Sequence, residues 1–126
     1  MSVPANLRYT KSHEWVLVDG DTATVGITDF AQSQLGDLTF VELPGAGESV
    51  GAGDDVAVVE SVKAASDVYS PLAGTIASSN SDLEADPSLI NTDAFGKGWM
   101  FKVKMDNPAD VDALLSADEY EKLIPA

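Results

Sequence analysis

Cysteine is absent from this 126-residue chain, which excludes disulfides, thiolate nucleophiles and cysteine-ligated metals. The lack fits a reducing compartment. Histidine occurs once, as His13, so no His dyad or His-rich metal site can be assembled from the chain. Basic residues are scarce as well: seven Lys and Arg stand against 21 Asp and Glu, a formal net charge of −14. Phosphate backbones and anionic membranes are bound by clustered Lys and Arg, so no nucleic acid and no membrane is expected as a partner. Proteins with basic docking faces are favoured instead, through steering that salt weakens. No apolar run approaches the roughly 18 residues that cross a bilayer. Met1 to Asn6 shows neither a secretory signal nor an Arg-rich transit pattern, and the expected location is the cytoplasm of a bacterial-type cell. The expected organisation is one domain spanning 1–126, large enough to bury roughly two-thirds of its unfolded surface.

What is present is mainly β signal up to about residue 105. Trp15 to Val18, Asp19-Gly20 and Thr22 to Ile27 read as a hairpin, with Asp-Gly supplying positive φ at the turn. A short helix is expected near 29–35, capped by Asp29 and stopped by Gly36. Thr39 to Leu43 alternates as a strand and ends at Pro44-Gly45. The glycine- and acid-rich stretch from Gly47 to Asp55 reads as a turn. Strands are expected again at Gly74 to Ala77 and Trp99 to Met105, the last with Lys102 and Lys104 on its polar face and Trp99 filling the core. Between them, Ser78 to Asn91 reads as an irregular excursion with a helical turn.

A C-terminal helical segment is expected over about 107–124. Asn107-Pro108 starts one helix, and Ser116-Ala117-Asp118-Glu119 forms a capping box for another. Many short strands separated by turn signals imply a mainly β sandwich or flattened barrel, with the helices packed on one side.

One lysine stands out. Val56 to Ser61 and Val68-Tyr69 flank Lys63, and the turn between them is built from small residues, Ala64, Ala65 and Ser66. This hairpin, over about 56–70, puts a lone cation at its tip, open to a modifying enzyme; acylation would remove its charge. A Schiff-base enzyme would need that lysine desolvated in a pocket, which small polar neighbours at a turn argue against. Ser61, Ser66 and Ser70 lack a histidine partner, and the glycines at 45, 47, 51 and 53 precede no phosphate-binding helix. The acids in turns show no calcium-loop spacing.

Glu60-Ser61-Val62-Lys63-Ala64, followed by Ser66-Asp67-Val68-Tyr69-Ser70-Pro71, resembles the lipoylation motif of glycine cleavage system H-proteins. The likeness runs through Tyr9 to Val16, Ala23 to Gln32, Leu35-Gly36-Asp37, Phe40 to Pro44 and Gly98-Trp99-Met100. Biotin carriers resemble one another in Met-Lys-Met, and acyltransferase lipoyl domains in Asp-Lys-Ala; here the lysine sits between Val62 and Ala64. Glu60, three positions before the lysine, also fits the H-protein motif.

The resemblance implies a lipoyl-domain fold of the barrel-sandwich hybrid type and a carrier without catalytic residues or a metal. It implies lipoate, covalent on Lys63, attached by a lipoate-attaching enzyme. The loaded arm would carry an aminomethyl group from a pyridoxal-phosphate glycine decarboxylase to a tetrahydrofolate-dependent aminomethyltransferase, and dihydrolipoamide dehydrogenase would reoxidise it. By residue match, Ser12, Glu14 and Asp67 are candidates for a cleft that holds the arm. A relay that hands lipoate to other lipoyl domains is the alternative use of the same lysine.

Overall fold

The computed structural model describes residues 3–124. In chain order its elements are β1 (Arg8–Tyr9), β2 (Glu14–Asp19), β3 (Thr22–Ile27), α1 (Asp29–Leu35), β4 (Leu38–Glu42), β5 (Ser49–Val50), β6 (Asp55–Ser61), β7 (Ala65–Tyr69), β8 (Gly74–Ser79), α2 (Asp82–Ala85), α3 (Leu89–Thr92), β9 (Phe101–Met105), a 3-10 segment (Pro108–Ala113) and α4 (Ala117–Leu123). All ladders are antiparallel, and they build two sheets. The larger has the order β1-β2-β3-β9-β8-β5 and the smaller β4-β6-β7. The mainly β expectation holds, in its sandwich form.

Alternation along the strands explains how the sheets meet. Val16, Val25, Ile76 and Val103 of the larger sheet and Val41, Ala57, Val59 and Val68 of the smaller are buried in one cluster. Each buried valine or isoleucine contributes about 1.5–3 kcal/mol relative to its exposed state. Strand β2 departs from alternation: Glu14, Trp15 and Val16 are all buried, and Leu17 and Val18 are exposed. The start of this strand is covered on both faces. Val16 points into the inter-sheet core, whereas Trp15 joins a second cluster with Leu7, Tyr9, Ala117 and Tyr120. The C-terminal helix therefore packs on the far side of the larger sheet, directly over the segment that leads into β2.

Several local expectations are corrected. The hairpin turn is Gly20-Asp21, one residue later than Asp19-Gly20, because Asp19 pairs with Thr22; only Gly20 takes positive φ, at +64°. The cap of α1 is Thr28, whose hydroxyl accepts from the Ala31 N–H, and Asp29 is the first helical residue. The Gly47 to Asp55 turn contains a strand, β5, paired to β8. The excursion after β8 holds two helical turns, α2 and α3. At the C-terminal end, Asn107 and Pro108 begin a 3-10 segment, and the Ser116–Glu119 capping box is formed as expected.

Trp99 does not fill the core. It is half-buried at the rim of the second cluster, with the Lys102 ammonium 5.1 Å from its ring. Trp15 is the core indole, 1% exposed, and its Nε1–H donates to the Ala94 carbonyl at 2.9 Å. Trp15→Phe leaves a cavity and a buried carbonyl without its donor, so it should cost about 2 kcal/mol or more. Trp99→Phe should cost less than ~1 kcal/mol. Urea unfolding followed by circular dichroism checks this order, and equal costs would contradict the placement.

Candidate functional site

Lys63 stands at the turn of the β6–β7 hairpin, whose register pairs Glu60 with Ala65, Val59 with Ser66 and Val58 with Asp67. Ser61 builds that turn. Its N–H donates to the Ala64 carbonyl at 2.8 Å, and its hydroxyl accepts from the N–H groups of Lys63 and Ala64 at 3.3 and 3.2 Å. A serine that binds the backbone two and three residues on closes a tight turn without help from bulky neighbours. Lys63 and Ala64 are exposed, and Val62 is 92% exposed. The apex presents a primary amine with open space around it.

The lysine stem crosses Gly36. A β carbon at Gly36 would stand 3.3 Å from Lys63 Cε and 3.8 Å from Nζ. Gly36 ends α1 with φ +83°, and its N–H donates to the Gln32 carbonyl at 3.0 Å. Asn91, on α3, fixes this corner. Its Nδ2 donates to Gln32 Oε1 at 2.8 Å and to the Gly36 carbonyl at 2.9 Å, while its Oδ1 accepts from the Leu38 N–H at 2.9 Å. One amide side chain thus holds the end of α1 and the start of β4 beneath the lysine.

Glu14 lies at the start of β2 and is 1% exposed. Its Oε1 accepts from the hydroxyls of Thr10 at 2.7 Å and Ser12 at 2.6 Å. The Thr10 hydroxyl also accepts from the Glu14 N–H at 3.1 Å. Burial raises the carboxyl's proton affinity above its ordinary value of 4.5, against the hydrogen bonds from Ser12, Thr10 and the backbone of Tyr69, which favour the ion. Tyr69, on β7 of the smaller sheet, thus lies near this carboxyl of the larger one. Two hydroxyls, with no cation among these contacts, hold this acid.

The structure thus joins Ser12, Glu14 and β7. Asp67 lies on β7, exposed, two residues before Tyr69 and on the same strand face. Its carboxylate has no hydrogen-bond partner among the described residues. Lys63 occupies the turn at the start of that strand, and Glu60 is half-buried in β6 opposite Ala65 and Phe40. Sequence reasoning missed Gly36, Asn91 and Thr10. Positive φ at a helix end could have flagged Gly36 as more than a stop signal. Asn91 reaches Gly36 across 55 residues, and no local pattern announces such a contact.

Three comparisons bear on this arrangement. The sequence profile of a family described as "Glycine cleavage H-protein" matches residues 7–126. The glycine cleavage system H protein of Carboxydothermus hydrogenoformans is 52% identical over 122 residues, covering 97% of this chain and 94% of the relative. That of a Psychrobacter species is 56% identical over 121 residues, covering 95% and 96%. The crystal structure of a glycine cleavage system H protein from Mycobacterium marinum superposes with a TM-score of 0.88 at 40% identity, covering 95% of this chain and 97% of that one.

The Glu14 environment sets a pH dependence. A carboxyl whose proton affinity rises on folding stabilises the folded state below 4.5, and that contribution is lost as pH climbs from 4.5 through the raised value. Glu14→Gln removes the titration while keeping an acceptor oxygen. Its stability relative to the parent should therefore increase as pH rises above 4.5 and then level off. Urea midpoints taken between about pH 4 and about pH 8 measure this; a difference that does not change with pH would contradict it.

Proposed function

This chain belongs to the glycine cleavage H-protein family, and from that premise we propose that it carries lipoate in amide linkage on Lys63. The family supports a lipoyl carrier role in glycine cleavage. On our reading the chain performs no chemistry of its own, and the arm takes the glycine-derived aminomethyl group from one enzyme to the next. The observation that carries the proposal is the setting of Lys63: an exposed amine on a small-residue turn, its stem lying over a residue without a β carbon. A side chain at Gly36 would fill the cradle that the stem occupies.

Bound there, lipoate supplies a five-membered ring disulfide that cannot reach the dihedral near 90° disulfides prefer, and so opens readily. The chain's own residues do the holding. Glu14 offers the ammonium of the cargo a carboxylate already removed from water, where a charge pair is stronger than at the surface. Ser12, donating to that carboxylate, keeps its oxygen oriented, and Asp67 offers a second, exposed carboxylate on β7. Glu60 belongs to the same motif, half-buried on β6 beside the turn. Shielding the cargo from water is what such a cleft contributes.

The partners on this reading are the pyridoxal-phosphate glycine decarboxylase, the tetrahydrofolate-dependent aminomethyltransferase and dihydrolipoamide dehydrogenase, met in the cytoplasm. A surface of net charge −14 favours basic docking faces on all three. Tethering also keeps the cargo at high effective concentration near each of them.

Intact mass and peptide mapping, after incubation with a lipoate-attaching enzyme and lipoate, test the central claim. One lipoyl adduct, on Lys63, is expected. Lys63→Arg should fold normally, take no adduct and support no glycine cleavage in the reconstituted system. Activity retained by that variant would end the proposal.

A further inference from the structure

His13 is the one non-glycine residue with positive φ among the described residues, at +72°. Left-handed backbone costs a residue with a β carbon roughly 1 kcal/mol or more, so it persists only where its surroundings impose it. Three contacts do so. The His13 N–H donates to the Thr10 carbonyl at 3.2 Å, and its carbonyl accepts from the Thr28 N–H at 2.9 Å. Its Nδ1 shares a hydrogen bond of 2.8 Å with the hydroxyl of Tyr120, on α4.

That hydroxyl has a second partner, Thr28 Oγ1 at 2.7 Å, the same oxygen that caps α1. A phenol has one proton, so one of these neighbours must donate to it. Burial lowers the proton affinity of His13 and favours its neutral ring. Either tautomer of that ring can complete the chain of hydrogen bonds. The Tyr120 ring is buried and stacked on Tyr9, with centroids 4.7 Å apart and planes inclined by 10°. Packing alone would be served equally well by phenylalanine.

The hydroxyl is the informative atom because of what lies at the other end of each bond. Through His13 it reaches the loop that carries Ser12 and Glu14. Through Thr28 it reaches α1, whose far end is Gly36, beneath the Lys63 stem. We propose that Tyr120 is a positioning residue for the resting arm: one buried hydroxyl sets the relation between the loop that receives the cargo and the helix that supports the lysine. Burial raises the Tyr120 hydroxyl's proton affinity, the hydrogen bond with Thr28 opposes that, and the nearby Glu14 charge adds a smaller upward push. This inference rests on the reading of Lys63 as the lipoyl attachment point.

The test uses lipoylated protein and Tyr120→Phe, which retains the ring stack. Two readouts are needed. Amide hydrogen exchange at His13 and Thr28 should quicken roughly fivefold, the factor carried by one net hydrogen bond, with the Ile76 amide unchanged. After loading and removal of the decarboxylase, release of ammonia from the arm should quicken by a similar factor, roughly fivefold. Thr28→Ser keeps a hydroxyl and should preserve the parental lifetime. Ile76→Val, which weakens only the core, should preserve it too.

Faster exchange with an unchanged loaded lifetime would make Tyr120 merely structural and overturn the inference. An equal shortening by Ile76→Val would overturn it as well, as general loosening. The carrier reading fails separately: an absent Lys63 adduct, or a Glu14→Ala variant whose loaded arm lasts as long as the parent's, would remove the cleft itself and this inference with it.

Discussion

A carboxylate held out of water by hydroxyl groups is the constraint on which the rest of this structure depends. Removing Glu14 from solvent costs several kcal/mol unless its oxygens are occupied, and two hydroxyls in the preceding loop occupy one of them. The loop must therefore fold back on the strand it precedes, which demands a reversal at His13, and that reversal is the positive φ observed there. The backbone of Tyr69 lies near the same carboxyl, which places Glu14 where the larger sheet meets the hairpin that bears Lys63.

Much of the fold was legible because it is written in short-range patterns. Alternation located most of the strands, and the side-chain cap at Asn107 and the capping box at Ser116 marked the two C-terminal segments. Where the reading slipped, a neighbour in space decided the matter. Asp19 was drawn from turn into strand by its partner Thr22. Ser49-Val50 became a strand because β8 offered an edge to a segment whose composition reads as a turn. Trp99, expected in the core, stands at the rim, whereas α4 covers Trp15. Composition ranks tryptophans alike; only the packing of a distant helix separates them.

The candidate site was legible in its residue types and opaque in its geometry. Glu60, Lys63 and Asp67 lie within a single continuous motif, and Ser12 and Glu14 within another. Their joining depends on contacts that sequence separation hides. Asn91 meets Gly36 from 55 residues away, Thr28 meets Tyr120 from 92, and His13 meets Tyr120 from 107. Each is a single hydrogen bond made by a polar side chain, so no periodicity betrays it. An exposed hairpin does not stiffen itself, and rigid neighbours such as α1 and α3 fix the ground beneath Lys63.

The smaller sheet has the order β4-β6-β7, which leaves β7 at its edge. An edge strand offers a row of unpaired backbone groups to any strand that approaches, including the same strand of another copy. Tyr69, at one end of that edge, lies near the Glu14 carboxylate. Farther along, Ala65, Ser66 and Asp67 are exposed, and the middle of an approaching duplicate would bring a second Asp67 against the first. Like charges opposed across a new ladder, on chains that each carry −14, make such pairing unfavourable. Asp67 thus guards against aggregation, and a neutral β-branched residue in its place would favour edge-to-edge self-assembly of this hairpin.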